Sequence, residues 1–340
     1  MQTPLKKETV SETKRLFVFN PEHDLALGVG QGSYTPPTEI IKIRKEFSLL
    51  PSSFAGDSDF ILIPDSLSEK EITSLPYYNE TQKKKIIIIK SEDLISVTNK
   101  ISKIYPWGWD HAIINDLLKS GIPEYMVPSE EEINNIRILS HRRTTISFRE
   151  KLAEILTSPL INLPVELKTL REVERLLECK EILYLKAPWS SSGRGIIVSD
   201  HITCKGLLEW CHGIIKKQGS VMAEPAWDRV FDFASEWFIK DHKATFVGYS
   251  VFKTSSRGKY HGNINDSQEV IQTLIKKSTP EFDENVIKAQ QQVIDKIISP
   301  FYEGPLGIDM LSDSEGRINP CVEINLRFTM GHIPLLNNVI

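Results

Sequence analysis

The sequence has few of the features that mark specialised chemistries. Its 340 residues include four cysteines, Cys179, Cys204, Cys211 and Cys321, and no two stand at CxxC spacing. Its eight histidines complete no zinc pattern, so the thiols read as reduced, buried small hydrophobes. No apolar run approaches the roughly 18 residues of a membrane span. The formal net charge is only −4, which offers no general attraction to nucleic acid or to an anionic membrane. Residues 1–14, MQTPLKKETVSETK, are polar and hold no apolar signal core. A loose tail and a cytoplasmic location are therefore expected. No internal repeat and no low-complexity segment stands out.

The composition itself, 40% hydrophobic and 25% charged, is ordinary for a soluble globular protein. The length suggests two or three domains and is ample for a large core. Apolar runs at 15–20 (RLFVFN), 60–64 (FILIP) and 86–89 (IIII) read as strands. Their unbroken apolar character suits a parallel sheet covered on both faces. Helical patterns such as 111–119 fall between and after them, which argues α/β for roughly the first 130 residues. SEEEINNIRI at 129–138 opens a helix with a serine cap and acids in the first turn. Further helices are expected over 142–156 and 166–179, with a short strand at LPVEL between them.

From residue 182 the texture changes. Short strands separated by Gly/Ser turns follow (ILYLKAP, GIIVSD, SVMAEP, ATFVGYSVF, GKYHGNI, LGIDML, CVEINLRF), interrupted by helices near 205–217 and 282–298. This is an α+β pattern with antiparallel sheets.

Residues 183–200, LYLKAPWSSSGRGIIVSD, hold a glycine- and serine-rich loop beside Lys186. A P-loop places its lysine after the glycines and opens a helix. Here the lysine comes first and a β-branched strand follows, and the GxGxxG spacing is also missing. The loop therefore joins two strands as a hairpin flap, whose serines and glycines can approach an anion closely. The alternative is a mobile surface hairpin.

In CVEINLRF, Glu323, Asn325 and Arg327 alternate with apolar residues and so share one strand face. If the preceding strand LGIDML pairs with it as a hairpin, Asp309 comes near Glu323 and Asn325. Two carboxylates and an amide oxygen suit Mg²⁺, and Arg327 can reach a phosphate beside it. The alternative is a solvated sheet face. In SVMAEPAWDRVFDFASE, an apolar strand runs into Glu224, and Asp228, Asp232 and Glu236 follow at intervals of four. By itself that spacing reads as a helix start with solvated acids. A strand-to-hinge segment that reads an adenine edge is the other reading.

Taken in this order, these elements resemble the ATP-grasp superfamily. The resemblance is carried by Lys186 with WSSSGRG, Glu224 ending VMAE, Asp309 in GIDM, and EINLR at 323–327. It covers about residues 135–335. It implies an α/β pre-ATP-grasp domain over 15–134, then an α+β ATP-grasp domain over 135–340 with a lid subdomain at about 180–224. Two subdomains with antiparallel sheets would hold ATP between them. Lys186 would contact phosphates, beneath a mobile flap made of Ser190, Ser191, Ser192, Gly193 and Gly195. Glu224 would mark the adenine-reading hinge. Asp232 would hold ribose, with Asp228 its competitor. Asp309, Glu323 and Asn325 would bind Mg²⁺, or Mn²⁺ in its place. Arg327 would stabilise the transferring phosphoryl group. Arg142 matches the basic residue that opens the fold, where lysine is more usual. Lys253 and Arg257, ahead of Lys259, match a basic residue near phosphate or substrate.

The resemblance also implies a reaction: ATP activates a carboxylate as an acyl phosphate, an amine attacks it, and ADP and phosphate leave. That chemistry needs charge neutralisation and alignment more than an activated nucleophile. A small-molecule kinase and a non-catalytic ATP-binding module are the alternatives. The partners implied are a small carboxylate, an amine and a second copy of the chain, with neither nucleic acid nor membrane. The acceptor is expected at the carboxyl edge of the N-terminal sheet, near Asn20, His23, Asp24, Trp109 and His111. For these residues, helix capping and core packing are the competing roles.

Overall fold

The computed structural model describes residues 14–157, 162–178, 181–190, 195–199, 204–254, 260–280 and 282–336. The first sheet is wholly parallel, built from β1 (Lys14–Val18), β2 (Phe60–Leu62), β3 (Ile87–Ile89) and β4 (Ile101–Pro106) in the order β3-β2-β1-β4. Helices α1 (His23–Val29), α2 (Thr38–Glu46), α3 (Glu69–Ser74), α4 (Tyr78–Lys83), α5 (Leu94–Val97) and α6 (His111–Lys119) accompany it. The chain runs from β1 to one side and returns with β4 on the other. The loops after β1 and β4 are therefore neighbours at a switch point on the carboxyl edge. The apolar run at 86–89 is not a fully buried strand: β3 is an edge strand, and Ile87 is 36% exposed. Strand β4 escaped the sequence reading because Ser102 and Lys103 break its apolar pattern.

Two helices lead away from this sheet. Ser129 and Glu132 form a capping box on α7 (Glu130–Leu139), which spans the expected division at 134/135. After it comes α8 (Thr144–Leu156).

A second sheet, antiparallel throughout, joins β5 (Val165–Leu167), β6 (Leu183–Lys186), β7 (Ile196–Val198) and β8 (Val221–Pro225) in the order β5-β8-β6-β7. Helices α9 (Leu170–Leu177) and α10 (Cys204–Gln218) cover it over a small core of Leu185, Leu207, Cys211 and Val221. The expected helix from Glu166 instead begins at Leu170, because Thr169 and Glu172 form a capping box there and Glu166 belongs to β5. The sheet thus takes in residues before 180.

The third sheet is also antiparallel: β9 (Arg229–Lys240), β10 (Lys243–Thr254), β11 (Tyr260–Asn263), β12 (Gly304–Asp313) and β13 (Ile318–Asn325), in the order β11-β10-β9-β12-β13. Helices α11 (Gln268–Ser278), absent from the sequence reading, and α12 (Asn285–Ile297) pack with α8 on one face. Trp237, Phe233, Ile308, Phe148 and Ile294 form the centre of that core. The segment 229–240, expected as a helix start, is a long strand. Intervals of four satisfy the strand period of two as well as the helical period, and the aromatic and β-branched residues between the acids decide for strand.

Phe328, just beyond β13, is fully buried in the core of the first sheet, stacked on Phe54 at 5.0 Å and tilted against Trp107 at 5.8 Å. Its N–H donates to the Trp107 carbonyl at 2.8 Å. The end of the third sheet is thereby tied to the N-terminal domain. No helix among the described residues is long and apolar enough to cross a membrane.

Candidate active site

The second and third sheets face each other across a cavity of about 220 Å³. Register explains what lines it. Glu323 pairs directly with Asp309, and Asn325 with Gly307. Asp309 in turn pairs with Ala234, and Asp232 with both Leu311 and Phe252. Residues opposite one another in an antiparallel sheet share a face. The floor of the cavity is therefore one face of the third sheet, carrying Asp232, Glu236, Asp309, Glu323 and Asn325, with Arg327 at its end. The roof is one face of the second sheet. There Lys186 pairs with Ile196 and Met222, and Tyr184 with Glu224, and Lys186 forms an ion pair with Glu224.

The floor gathers like charge. Burial, reinforced by the Glu323 and Glu236 carboxylates, pushes the Asp309 pKa up to about 8 against the pull of Arg327 and an Asn325 hydrogen bond. Burial also raises Asp232, opposed by a hydrogen bond from Thr254 and by Arg229. Burial weakens the charge on Arg327, but Asp24, Glu323 and Asp309 outweigh it and hold its pKa above the usual arginine value. Arg327 donates Nε–H to Asp24 at 2.9 Å, Nη1–H to the Phe328 carbonyl at 3.1 Å and Nη2–H to Asn325 at 2.8 Å. A guanidinium has five N–H donors, so each terminal nitrogen keeps one for a ligand.

Among the described residues no group of three or more His, Cys, Asp or Glu side chains stands ready to enclose a metal. Asp309, Glu323 and the Asn325 amide oxygen could hold Mg²⁺, which needs only one or two carboxylates when phosphates and water complete its shell. The negative charge gathered on this buried face is what a divalent cation would neutralise.

No family model and no curated protein matches the sequence. Solved structures do resemble its fold. Biotin carboxylase from Campylobacter jejuni, in its β-γ-ATP complex, aligns at 13% identity over 94% of this chain and 67% of that one, TM-score 0.54. N5-carboxyaminoimidazole synthetase from Staphylococcus aureus, complexed with ADP, aligns at 13% identity over 93% and 71%, TM-score 0.52. The biotin carboxylase domain of the Hydrogenobacter thermophilus 2-oxoglutarate carboxylase, with MgADP, aligns at 13% identity over 94% and 65%, TM-score 0.55.

The chain has the ATP-grasp fold. In ATP-grasp terms, the expected nucleotide and metal positions Lys186, Glu224, Asp232, Asp309, Glu323, Asn325 and Arg327 all line the one cavity. Asp228 does not line it; its carboxylate and carbonyl both accept from Ser314.

Lys253, Arg142 and Ser190, expected at the ligand, do not line the cavity. Lys253 is exposed and does not line the cavity, because its neighbours Phe252 and Thr254 do and strand alternation turns Lys253 to the other face. Arg142 is buried outside the cavity. It donates to the Ala187 carbonyl, to Ser190 Oγ at 2.8 Å and to Glu323 at 2.6 Å. It therefore ties the base of the glycine loop to the floor. That base is closely packed. Trp189 and Ser190 are buried, and Trp189 is bracketed by Gln218 hydrogen bonds at 3.0 and 3.1 Å and by the Arg137 guanidinium at 4.2 Å. Gly195 closes the hairpin, its carbonyl accepting from Ala187 N–H at 2.8 Å. A Cβ on Gly195 would lie 2.5 Å from Ser190. Ser191, Ser192, Gly193 and Arg257 lie outside the described residues.

The N-terminal loops divide. Asp24 reaches the site through Arg327. Asn20 instead links the two loops, donating to the Gly108 carbonyl at 2.8 Å and to Asp110 at 3.0 Å. Trp109 packs against two cores, and His111 lies 3.6 Å from Glu130. His23 is buried behind Asp24, outside the cavity lining.

Glu236 was not singled out as a site residue. It is buried, accepts from Ser250 at 2.7 Å and Thr329 at 2.9 Å, and lines the cavity. Its spacing of four from Asp232 was the available signal, once read as a strand.

Proposed function

We propose that the protein is an ATP- and Mg²⁺-dependent ligase that joins a carboxylate to an amine, releasing ADP and phosphate. The observation that carries this reading is the direct pairing of Asp309 with Glu323 on the same face as Asp232 and beneath Lys186. Mg²⁺ bound by Asp309, Glu323 and Asn325 would neutralise the polyphosphate. Lys186 would hold phosphate from the roof, and Asp232 the ribose. The backbone at 223–225 would meet the adenine edge. Arg327 would offer its two free N–H donors to the charge that develops on the transferring phosphoryl group. The substrate carboxylate attacks the γ-phosphorus, and ADP leaves. The amine then attacks the acyl carbon, phosphate leaves, and a proton is released. A roof pinned at Trp189 and Ser190 would help keep water from that mixed anhydride. The bound ATP, ADP and MgADP of the three structural neighbours are consistent with this use of the cleft.

The test is ADP release across pairs of amino acids and other small carboxylates and amines. Turnover should need both partners, and Glu323→Ala should lower it by about 10²–10³. Undiminished turnover in Glu323→Ala, or a stable phosphorylated product formed without any amine, would overturn the reading.

A further inference from the structure

Arg327 extends from the end of the third sheet, yet the N-terminal domain helps decide where its guanidinium lies. We propose that Asp24 is a positioning residue for phosphoryl transfer, orienting Arg327 from the N-terminal domain. The proposal rests on the ATP-dependent reading above and assigns Asp24 a role in the chemistry rather than in substrate contact.

The Asp24–Arg327 pair joins residues 303 apart in the chain at 2.9 Å, with side chains only 14% and 16% exposed. At that depth, solvent screens the pair much less than it screens a surface ion pair. Asp24 engages Nε, and the Asn325 and Phe328 oxygens each take one terminal N–H. Three acceptors in fixed directions leave a planar fork one orientation, which sets where its two remaining donors point.

Asp24 is itself backed. His23 fills the space behind it, with Nε2 at 3.9 Å from Asp24 and Nδ1 at 3.7 Å from Asp110. A Cβ on Gly108 would lie 2.5 Å from the His23 ring, so the loop after β4 closes directly on that ring. Asn20 bonds both loops together, and Asp110 caps α6 by accepting from Ala112 N–H at 2.8 Å and Ile113 N–H at 2.9 Å. The Trp107 carbonyl accepts from the N–H of Phe328. The first turn of α1 and the loop after β4 thus grip the chain at two successive residues, one by side chain and one by backbone.

Asp24→Asn keeps the shape and an acceptor oxygen but removes the charge. The probes are MgADP and MgADP with aluminium fluoride, which mimics the phosphoryl group in flight, measured by calorimetry on the full chain. MgADP affinity should stay within about twofold, while the aluminium fluoride complex should bind roughly ten- to a hundredfold more weakly, the scale of a small misplacement of a catalytic group. Asp24→Glu should recover part of the loss, and Arg327→Ala should lose at least as much as Asp24→Asn. If Asp24→Asn keeps the wild-type preference for the fluoride complex, or loses both affinities equally, the positioning role is wrong. A wild type that binds both probes equally would overturn the functional reading itself, and this inference with it.

Discussion

The floor and the roof of the cavity handle charge in opposite ways. On the floor, register sets Asp309 directly across from Glu323, and burial, reinforced by that like charge, lifts the Asp309 pKa to about 8. On the roof, Lys186 is already matched to Glu224. The difference follows from what lies behind each face. The floor is backed by α8, α11 and α12 over a dense aromatic and aliphatic core, which can hold an unfavourable pairing in place. The roof rests on a much smaller core and carries a pair that satisfies itself. A floor that wants a cation and a roof whose cation can exchange partners are complementary to an anionic ligand with its counterion.

The sharpest way to break this contrast is on the roof. Lys186→Met leaves Glu224 buried without its partner and should cost about 3–5 kcal/mol of stability. Adding Glu224→Gln should recover much of that loss. Chemical denaturation of the two variants checks it, and equal stability of the single and double variants would mean the pair is not charge-matched.

Acid should also weaken the roof. His141 packs edge-on against Trp189 at 4.6 Å and accepts a hydrogen bond at Nδ1 from the Arg143 N–H. Burial and Arg143 pull its pKa down to about 4, against Glu166. The neutral ring is thus favoured in the folded state. Its stabilising contribution is complete above the unfolded value near 6.5 and is lost as pH falls from there toward 4, at most about 3 kcal/mol. His141→Gln should flatten the stability–pH curve in that window and leave it unchanged above.

On the floor, the corresponding substitution has the opposite sign. Asp309→Asn replaces a buried carboxyl that the folded floor forces to hold its proton near neutral pH with a neutral amide of the same shape. The metal-free thermal midpoint should rise by about 1–3 °C while activity is lost. A lower midpoint would show that the floor carries no electrostatic strain.

The smallest effect belongs to Lys253, on the far side of the floor. Lys253→Ala should change stability by no more than about 0.5 kcal/mol and leave ADP formation at the wild-type rate. A large loss of turnover would place that side chain in the chemistry after all.

How far the site could be read from the sequence follows from the range of each interaction. Glu323, Asn325 and Arg327 were legible because a strand repeats every two residues. Asp309 was legible because a short turn makes the two strands a hairpin, so proximity in sequence became proximity in space. Asp228 and Asp232 stayed undecided in the sequence, since intervals of four suit helix and strand alike; β9 turned Asp232 inward and left Asp228 on Ser314. Arg142 has a phosphate-binding composition, but Glu323 lies 181 residues away and no local pattern encodes that meeting.

Local pattern is enough for the alternation of strands and helices, the sheet faces that carry the acids and the lysine, and the hairpin that pairs Asp309 with Glu323. These depend on backbone periodicity and short turns, which act over a few residues. Long-range packing sets which sheets face each other, that Trp189 and Ser190 are buried, and that Asp24 grips Arg327. Those outcomes depend on how the three sheets dock, through contacts such as Phe328, beyond the third sheet, against Trp107 beside the first, and burial is nondirectional until the surfaces meet.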